Sequence, residues 1–443
     1  MPLLFEYHNE VEIDNPKMLK VYLHQVWNDQ YTVLLNQEDN SAEEVLNSGR
    51  NYQPFLNFDG NSIRANNYVG FIQLNGLHLE IYPKVFKHYA AKPVLMIKHL
   101  FFWFDYCRKW KFPFTKSRLD SLDDFDLPEL IIYLMSSKML ETVLSLPISL
   151  YQPVEESLYT PKGKINFKRY LSSGFINGNQ QILECDYEPF VFDNRLNRVM
   201  KYVCRLLLSR TRFTENQNIL NELIFILDEV TDQPCSYQDL ETVVLNPIFE
   251  DYAAVKDICK TILQHLIYAN QQYDLSQWSL LFPMEYIFED FIAGFIESNF
   301  SNDWKVEYQK SNLNLSSEPA AFQMQHDIFL TYRKDANKKI IIDTKYKLRD
   351  ANFKKDNKKG ISQTDMYQMT SYAFRRGCSN VLILYPNLGE NINSTDTFKI
   401  ESGFSNAEIL ITAAEVPFWS LVNFENISNE LHVILSELLK KYE

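Results

Sequence analysis

The segment Ile340-Ile341-Ile342-Asp343-Thr344-Lys345 places the tightest constraint on how this chain folds. An apolar, β-branched run of this kind favours a strand. Side chains two apart on a strand point to the same face, so Asp343 and Lys345 converge. A second run, Met324-Gln325-His326-Asp327-Ile328-Phe329-Leu330, predicts a neighbouring strand that brings Asp327 to the same place. Two carboxylates and an ammonium at one point suit hydrolysis of a phosphodiester with a hard divalent cation. The acids would hold Mg²⁺, or Mn²⁺, through oxygen, with a backbone carbonyl at Thr344 as a further ligand. The lysine would position or polarise the attacking water.

At 443 residues the chain exceeds one ordinary core and is expected to form two or three domains. Hydrophobic residues at 46% and aromatics at 14% argue for packed domains rather than disorder. A net charge of −13 argues against a protein that coats nucleic acid over its whole surface. Residues 331–360 depart from that balance: eleven cationic side chains face four acidic ones, a local excess of seven. This stretch reads either as an attractor for a phosphate backbone or as a solvated lysine-rich loop, and Lys347 and Arg349 within it are possible DNA contacts. The six cysteines contain no C-x-x-C pair, which argues against zinc and fits a reducing, cytoplasmic setting. No signal peptide is read at the N-terminus. The apolar stretch at 97–106 is interrupted by Lys98, His99 and Asp105 and is too short to span a bilayer, so no membrane association is expected.

Residues 1–90 read as mostly β. Alternating apolar residues on both sides of Asn75-Gly76, through Val69-Gly70-Phe71-Ile72-Gln73-Leu74 and Leu77-His78-Leu79-Glu80-Ile81-Tyr82, predict a hairpin that Pro83 ends. Helical spacing follows at 92–146, interrupted by an acidic loop with Asp120, Asp123, Asp124, Asp126 and Glu129. That loop is read as solvated, and as capping the next helix, in preference to a metal site. Three more helices are expected near 193–210, 215–230 and 250–269, with a boundary at 271–283. Pro161-Lys162-Gly163-Lys164 lacks the glycine and Ser/Thr of a phosphate loop, so no nucleotide site is read in this chain.

After Pro283 the expected order is a helix at 284–298, strands near 304–308, 325–331 and 339–344, a helix at 362–376, and a strand at 380–385. This order, with Asp327 and Asp343-Thr344-Lys345, resembles the PD-(D/E)xK nuclease core. His326 stands where that motif often has proline and is read as a core or supporting residue rather than a ligand. On the first helix, Ile287, Phe288, Phe291, Ile292 and Phe295 mark the buried face, and Glu289 borders it. Glu289 would lean toward the shared metal or the lysine, unless it pairs with a surface cation, and Glu285 is the substitute. Gln368 and Tyr372, four apart on one helical face, resemble the Q-x-x-x-Y element of RecB-related nucleases. Gln368 would position the site and Tyr372 would contact DNA.

Further segments extend the resemblance. The hairpin through Leu79-Glu80-Ile81-Tyr82-Pro83-Lys84, the segments Gly163-Lys164-Ile165-Asn166-Phe167 and Asp193-Asn194-Arg195-Leu196-Asn197-Arg198, the helix start Met284-Glu285-Tyr286-Ile287-Phe288-Glu289, and Asp343-Thr344-Lys345-Tyr346-Lys347 together resemble the McrC family over about 69–372. The resemblance implies an α+β multidomain protein: a β-rich domain at 1–90, a mainly helical partner-docking region at 91–275, and a nuclease domain at 276–443. It implies the endonuclease subunit of a modification-dependent restriction system, working on DNA with an McrB-like AAA+ GTPase hexamer whose hydrolysis it stimulates. Asp193, Asn197 and Arg198 are read as bracing a helix rather than touching a partner. Two other functions stay open at this point: a non-catalytic adaptor that clamps DNA, and a stand-alone RecB-like nuclease.

Overall fold

The computed structural model describes residues 3–37, 54–74, 76–89, 92–108, 126–151, 153–175, 178–266, 277–349, 356–387, 394–401 and 408–443. Asn75, Asp120, Asp123, Asp124, Lys354, Lys355 and the segment 271–276 lie outside these residues. The chain forms two compact units, one of Met1–Trp27, Glu43–Asp123 and Ser279–Glu443, the other of Asn28–Ala42 and Asp124–Trp278. This differs from the three consecutive segments expected from the sequence, because the N-terminal β segments and the C-terminal third share one body.

The reason is visible in the first sheet, whose strand order is β1-β6-β5-β12. Strand β1 (Leu3–Phe5) runs parallel to β6 (Leu77–Tyr82), which forms the expected hairpin with β5 (Tyr68–Leu74). Strand β12 (Gln277–Pro283) then pairs beside β5. Gly70 permits that approach: its φ is +133°, and a β-carbon there would overlap the Leu280 carbonyl. A smaller sheet of β2 (Glu10–Glu12), β4 (Ser62–Ala65) and β3 (Leu56–Asp59) and the start of helix α1 (Pro16–Gln37) complete this region. Tyr22 on α1 donates its hydroxyl to Ser279 Oγ at 3.2 Å.

Helix α2 (Pro93–Tyr106) also belongs to this unit. Its Trp103 ring stacks on Phe418 at 4.0 Å, and the indole N–H donates to the Phe418 carbonyl. Helix α7 (Met284–Phe300) crosses α2 at Gly294, where any β-carbon would collide with the Tyr106 carbonyl. Beyond it lies a six-stranded mixed sheet, ordered β13-β14-β15-β16-β18-β17. Its strands are β13 (Trp304–Ser316), β14 (Ala321–Tyr332), β15 (Lys339–Thr344), β16 (Asn380–Pro386), β17 (Thr395–Glu401) and β18 (Glu408–Val416). Helix α8 (Gln363–Arg376) connects the parallel strands β15 and β16 and buries Met369 and Ala373 among Phe329, Ile341, Val381 and Ile383. Helix α9 (Ile427–Lys440) closes the chain with Leu431, Leu435 and Leu438 buried.

The other unit is mainly helical: α3 (Leu127–Ser145), α4 (Arg195–Leu208), α5 (Thr214–Ile226) and α6 (Tyr252–Leu266). Short strands β7 (Leu150–Tyr151), β8 (Val154–Leu158), β9 (Lys164–Ile165), β10 (Leu183–Tyr187) and β11 (Phe190–Val191) form its two small sheets. Asp126 caps α3 by accepting from the Glu129 N–H at 3.0 Å. Glu129 itself is buried and accepts from Thr211, Arg212 and Asn216, tying α3 to α5. The Asp193–Arg198 motif is a clip. Asn194 caps α4, and both Asn194 and Asn197 donate to the carbonyls of Ile148 and Phe192. Asp193 accepts from Arg198 and from Thr231, and these bonds, Arg198 first, pull its carboxyl from 3.8 down to about 2. Replacing Asp193 with Asn is therefore expected to destabilise this unit by about 1–3 kcal/mol. Because the folded pKa is depressed, the loss should be present above the ordinary value of 3.8 and vanish as pH falls through about 2, which urea unfolding at a series of pH values measures.

Candidate active site

Strands β14 and β15 are antiparallel, with Ile328 opposite Ile342 and Phe329 opposite Ile341. One step further along this register sets Asp327 opposite Asp343, so both expected acids arrive at one end of the sheet. The triple isoleucine is fully buried, which carries Asp343, itself 3% exposed, into the interior. The Lys345 N–H donates to the Leu384 carbonyl at 2.8 Å, continuing the β15–β16 pairing by one residue. Its ammonium lies 2.7 Å from Asp343 Oδ2. Asp327 is held differently: its Oδ2 accepts the Thr344 N–H at 2.7 Å and the Thr344 hydroxyl at 2.8 Å. The sequence reading assigned Thr344 only a carbonyl; its amide and hydroxyl in fact orient the first acid.

Burial, then the charge of Asp327, pushes the Asp343 carboxyl up to about 7, against the pull of Lys345. Burial raises Asp327 as well, opposed by its Thr344 bonds. Burial works against the charge on Lys345, but Asp343, Asp327 and Asp365 together lift its pKa above the ordinary lysine value. The ammonium is therefore charged at neutral pH.

Asp365 is the residue that sequence reasoning missed. It stands in the first turn of α8, where Ser362 Oγ accepts its N–H, and it is 6% exposed. Its charge acts on both Asp343 and Lys345, and Lys347 Nζ lies 3.4 Å from its Oδ2. The signal was present, because Asp365 is three residues before Gln368 and shares its helical face.

The other expected residues fall in different places. Gln368 donates to the Tyr372 hydroxyl at 2.9 Å, and the Tyr372 ring packs 4.5 Å from His326. The amide and phenol thus engage each other and brace the residue before Asp327. Glu289 is half-buried on α7. Glu285 is exposed and acts instead on Glu6, Lys84 and Tyr346. Lys347 is exposed. Arg349 corrects the expectation of a DNA contact. Its side chain is fully buried, donates to the Lys359 carbonyl, Ser394 and Asp396, and lies 3.9 Å from Glu415, so it holds the loop after β15 rather than facing solvent.

The donor set fits a hard divalent cation. Two facing carboxylates that burial and mutual repulsion drive toward the neutral form are what such an ion relieves. Asp327 and Asp343 would hold it. No helix of the described residues is long and apolar enough to cross a membrane.

The model of a family described as "McrBC 5-methylcytosine restriction system component" matches residues 63–386. No curated protein matches the chain. Among solved structures, the chain resembles a refined half-complex from the tetradecameric assembly of Thermococcus gammatolerans McrB AAA+ hexamers with bound McrC. The TM-score is 0.64 at 17% identity, covering 99% of each chain. It also resembles a cryo-EM structure of the Thermococcus gammatolerans McrBC complex, with a TM-score of 0.48 at 20% identity, covering 67% of this chain and 87% of that one.

A cation held by Asp343 would have to displace the proton that burial favours on this carboxyl up to about pH 7. Apparent affinity for Mn²⁺ should thus be weaker at about pH 6 than at about pH 8, by up to about tenfold per pH unit below 7. Calorimetric titration at the two pH values measures this, and equal affinity would contradict the role of Asp343.

Proposed function

Since the chain belongs to the McrBC family of restriction-system components, we propose that it is the nuclease subunit of such a complex, hydrolysing DNA phosphodiesters with Mg²⁺ or Mn²⁺. The observation that carries this reading is the convergence of Asp327, Asp343 and Lys345 at one sheet end. In the PD-(D/E)xK core that the segment resembles, these are the residues of the reacting centre. A bound cation supplies Lewis-acid stabilisation of phosphoryl oxygens and lowers the pKa of water. Asp327 and Asp343 would hold it, with the Thr344 carbonyl as a further candidate ligand. Thr344 also keeps Asp327 oriented. Lys345, kept cationic by its acidic neighbours, orients the water and stabilises charge developing on the phosphate; it is not a general base. Asp365 reinforces the charge on Lys345, and exposed Lys347 attracts the DNA backbone.

We infer further that the partner is an AAA+ hexamer with GTPase activity, which this chain stimulates. The support is the likeness, over nearly the whole chain, to a chain of a complex of McrB AAA+ hexamers with bound McrC. Methylcytosine in the family's description makes modified DNA the first substrate to test.

In the assembled complex, Asp343→Ala and Lys345→Ala should each lower cleavage of methylated DNA at least about 100-fold. Nucleotide hydrolysis by the partner should stay near the unmodified level. Cleavage by Asp343→Ala at the normal rate would overturn the assignment.

A further inference from the structure

We propose that Lys84 is a positioning residue for the nuclease site, holding Lys345 in place through Tyr346. The inference rests on the reading of Asp343 and Lys345 as the reacting centre. Lys345 is the last residue whose backbone bonds to β16; the chain then leaves the sheet. The next fixed point is Tyr346, which is 3% exposed and gripped by residues from the opposite end of the sequence. Lys84 Nζ donates to the Tyr346 carbonyl at 2.9 Å and lies 4.1 Å from the centre of its ring. Glu6, fully buried, accepts the Tyr346 hydroxyl at 2.9 Å and the Lys84 N–H at 2.9 Å, both on Oε2. Lys345 therefore stands between two anchors, the Leu384 carbonyl on one side and this clamp on the other.

Packing alone would seat the Tyr346 ring, which lies 6.0 Å from Phe288 and 6.1 Å from Phe418. Packing does not fix the carbonyl, and the carbonyl orients the peptide from Tyr346 to Lys347, whose N–H donates back to the Lys345 carbonyl at 2.7 Å. A half-buried ammonium and a buried carboxylate are costly unless bonded. Burial pulls the Lys84 pKa down against the attraction of Glu6 and Glu285, and pushes Glu6 up to about 7. An apolar pair would hold the corner after β6 without that cost, but it would leave the Tyr346 carbonyl ungripped. Small displacements of a reacting group are known to cost large factors in rate.

The test compares single-turnover DNA cleavage by the assembled complex carrying wild-type chain, Lys84→Met, Lys84→Arg, Tyr346→Phe or Lys345→Ala. Lys84→Met should slow cleavage about 10- to 100-fold while leaving assembly and the Mg²⁺ concentration for half-maximal rate unchanged. Lys84→Arg, which keeps a cationic donor, should restore most of the rate. Tyr346→Phe, which keeps the ring and loses only its bond to Glu6, should slow cleavage roughly 3- to 10-fold and gives the answer if Lys84→Met fails to assemble. Normal cleavage by Lys84→Met or by Tyr346→Phe, with Lys345→Ala inactive, would overturn the positioning role and leave the active-site reading standing. Equal losses in Lys84→Met and Lys84→Arg would reduce Lys84 to a structural residue. Normal cleavage by Lys345→Ala would remove the active-site reading itself.

Discussion

The ammonium of Lys345, 2.7 Å from the buried carboxylate of Asp343, is what allows two acids to occupy one end of a sheet. Each acid alone is disfavoured there by desolvation, and each raises the cost of charging the other. The lysine opposes both effects from a position two residues along the same strand. Thr344, between them, faces the neighbouring strand and secures Asp327. Three consecutive residues thus arrange the whole centre, and the core around them exists to hold that strand end steady. Ile341 packs with the α8 side of the sheet, and the bonds of Tyr346 and Arg349 fix the chain just beyond it.

Much of this was legible from local pattern. The triple isoleucine ends at the expected strand limit, and the helices at 284–300 and 363–376 fall within a few residues of their expected bounds. Periodicity could not show what lies between distant segments. Strand β12 reads as a boundary because its partner, β5, is some two hundred residues away and the key to their contact is a single glycine. Arg349 was misread for a related reason. In sequence it belongs to a lysine-rich run, and only its tertiary partners Asp396 and Glu415 reveal a buried cation. Asp365 escaped because a first-turn acid after Ser362 is also an ordinary feature of a helix start.

The helical unit shows the opposite case, in which a motif has a complete structural explanation. Asn194 and Asn197 satisfy the carbonyls of Ile148 and Phe192, and Asp193 closes the turn through Arg198 and Thr231. A residue pattern of this strength needs no partner to account for it. It holds the start of one helix against the segment before it, as the sequence reading favoured.

The Glu6–Tyr346 bond joins residues 340 positions apart. Such contacts form only after the intervening chain has emerged from the ribosome, since their loop-closure cost precedes any gain. The unit spanning Asp124–Trp278 is nearly contiguous and can fold while synthesis continues. The strand carrying Asp343 and Lys345, by contrast, lies beyond it and waits for β16 and β18 to complete its sheet. A nascent chain therefore cannot complete the surroundings of Asp343 and Lys345 until β16 and β18 have also been made.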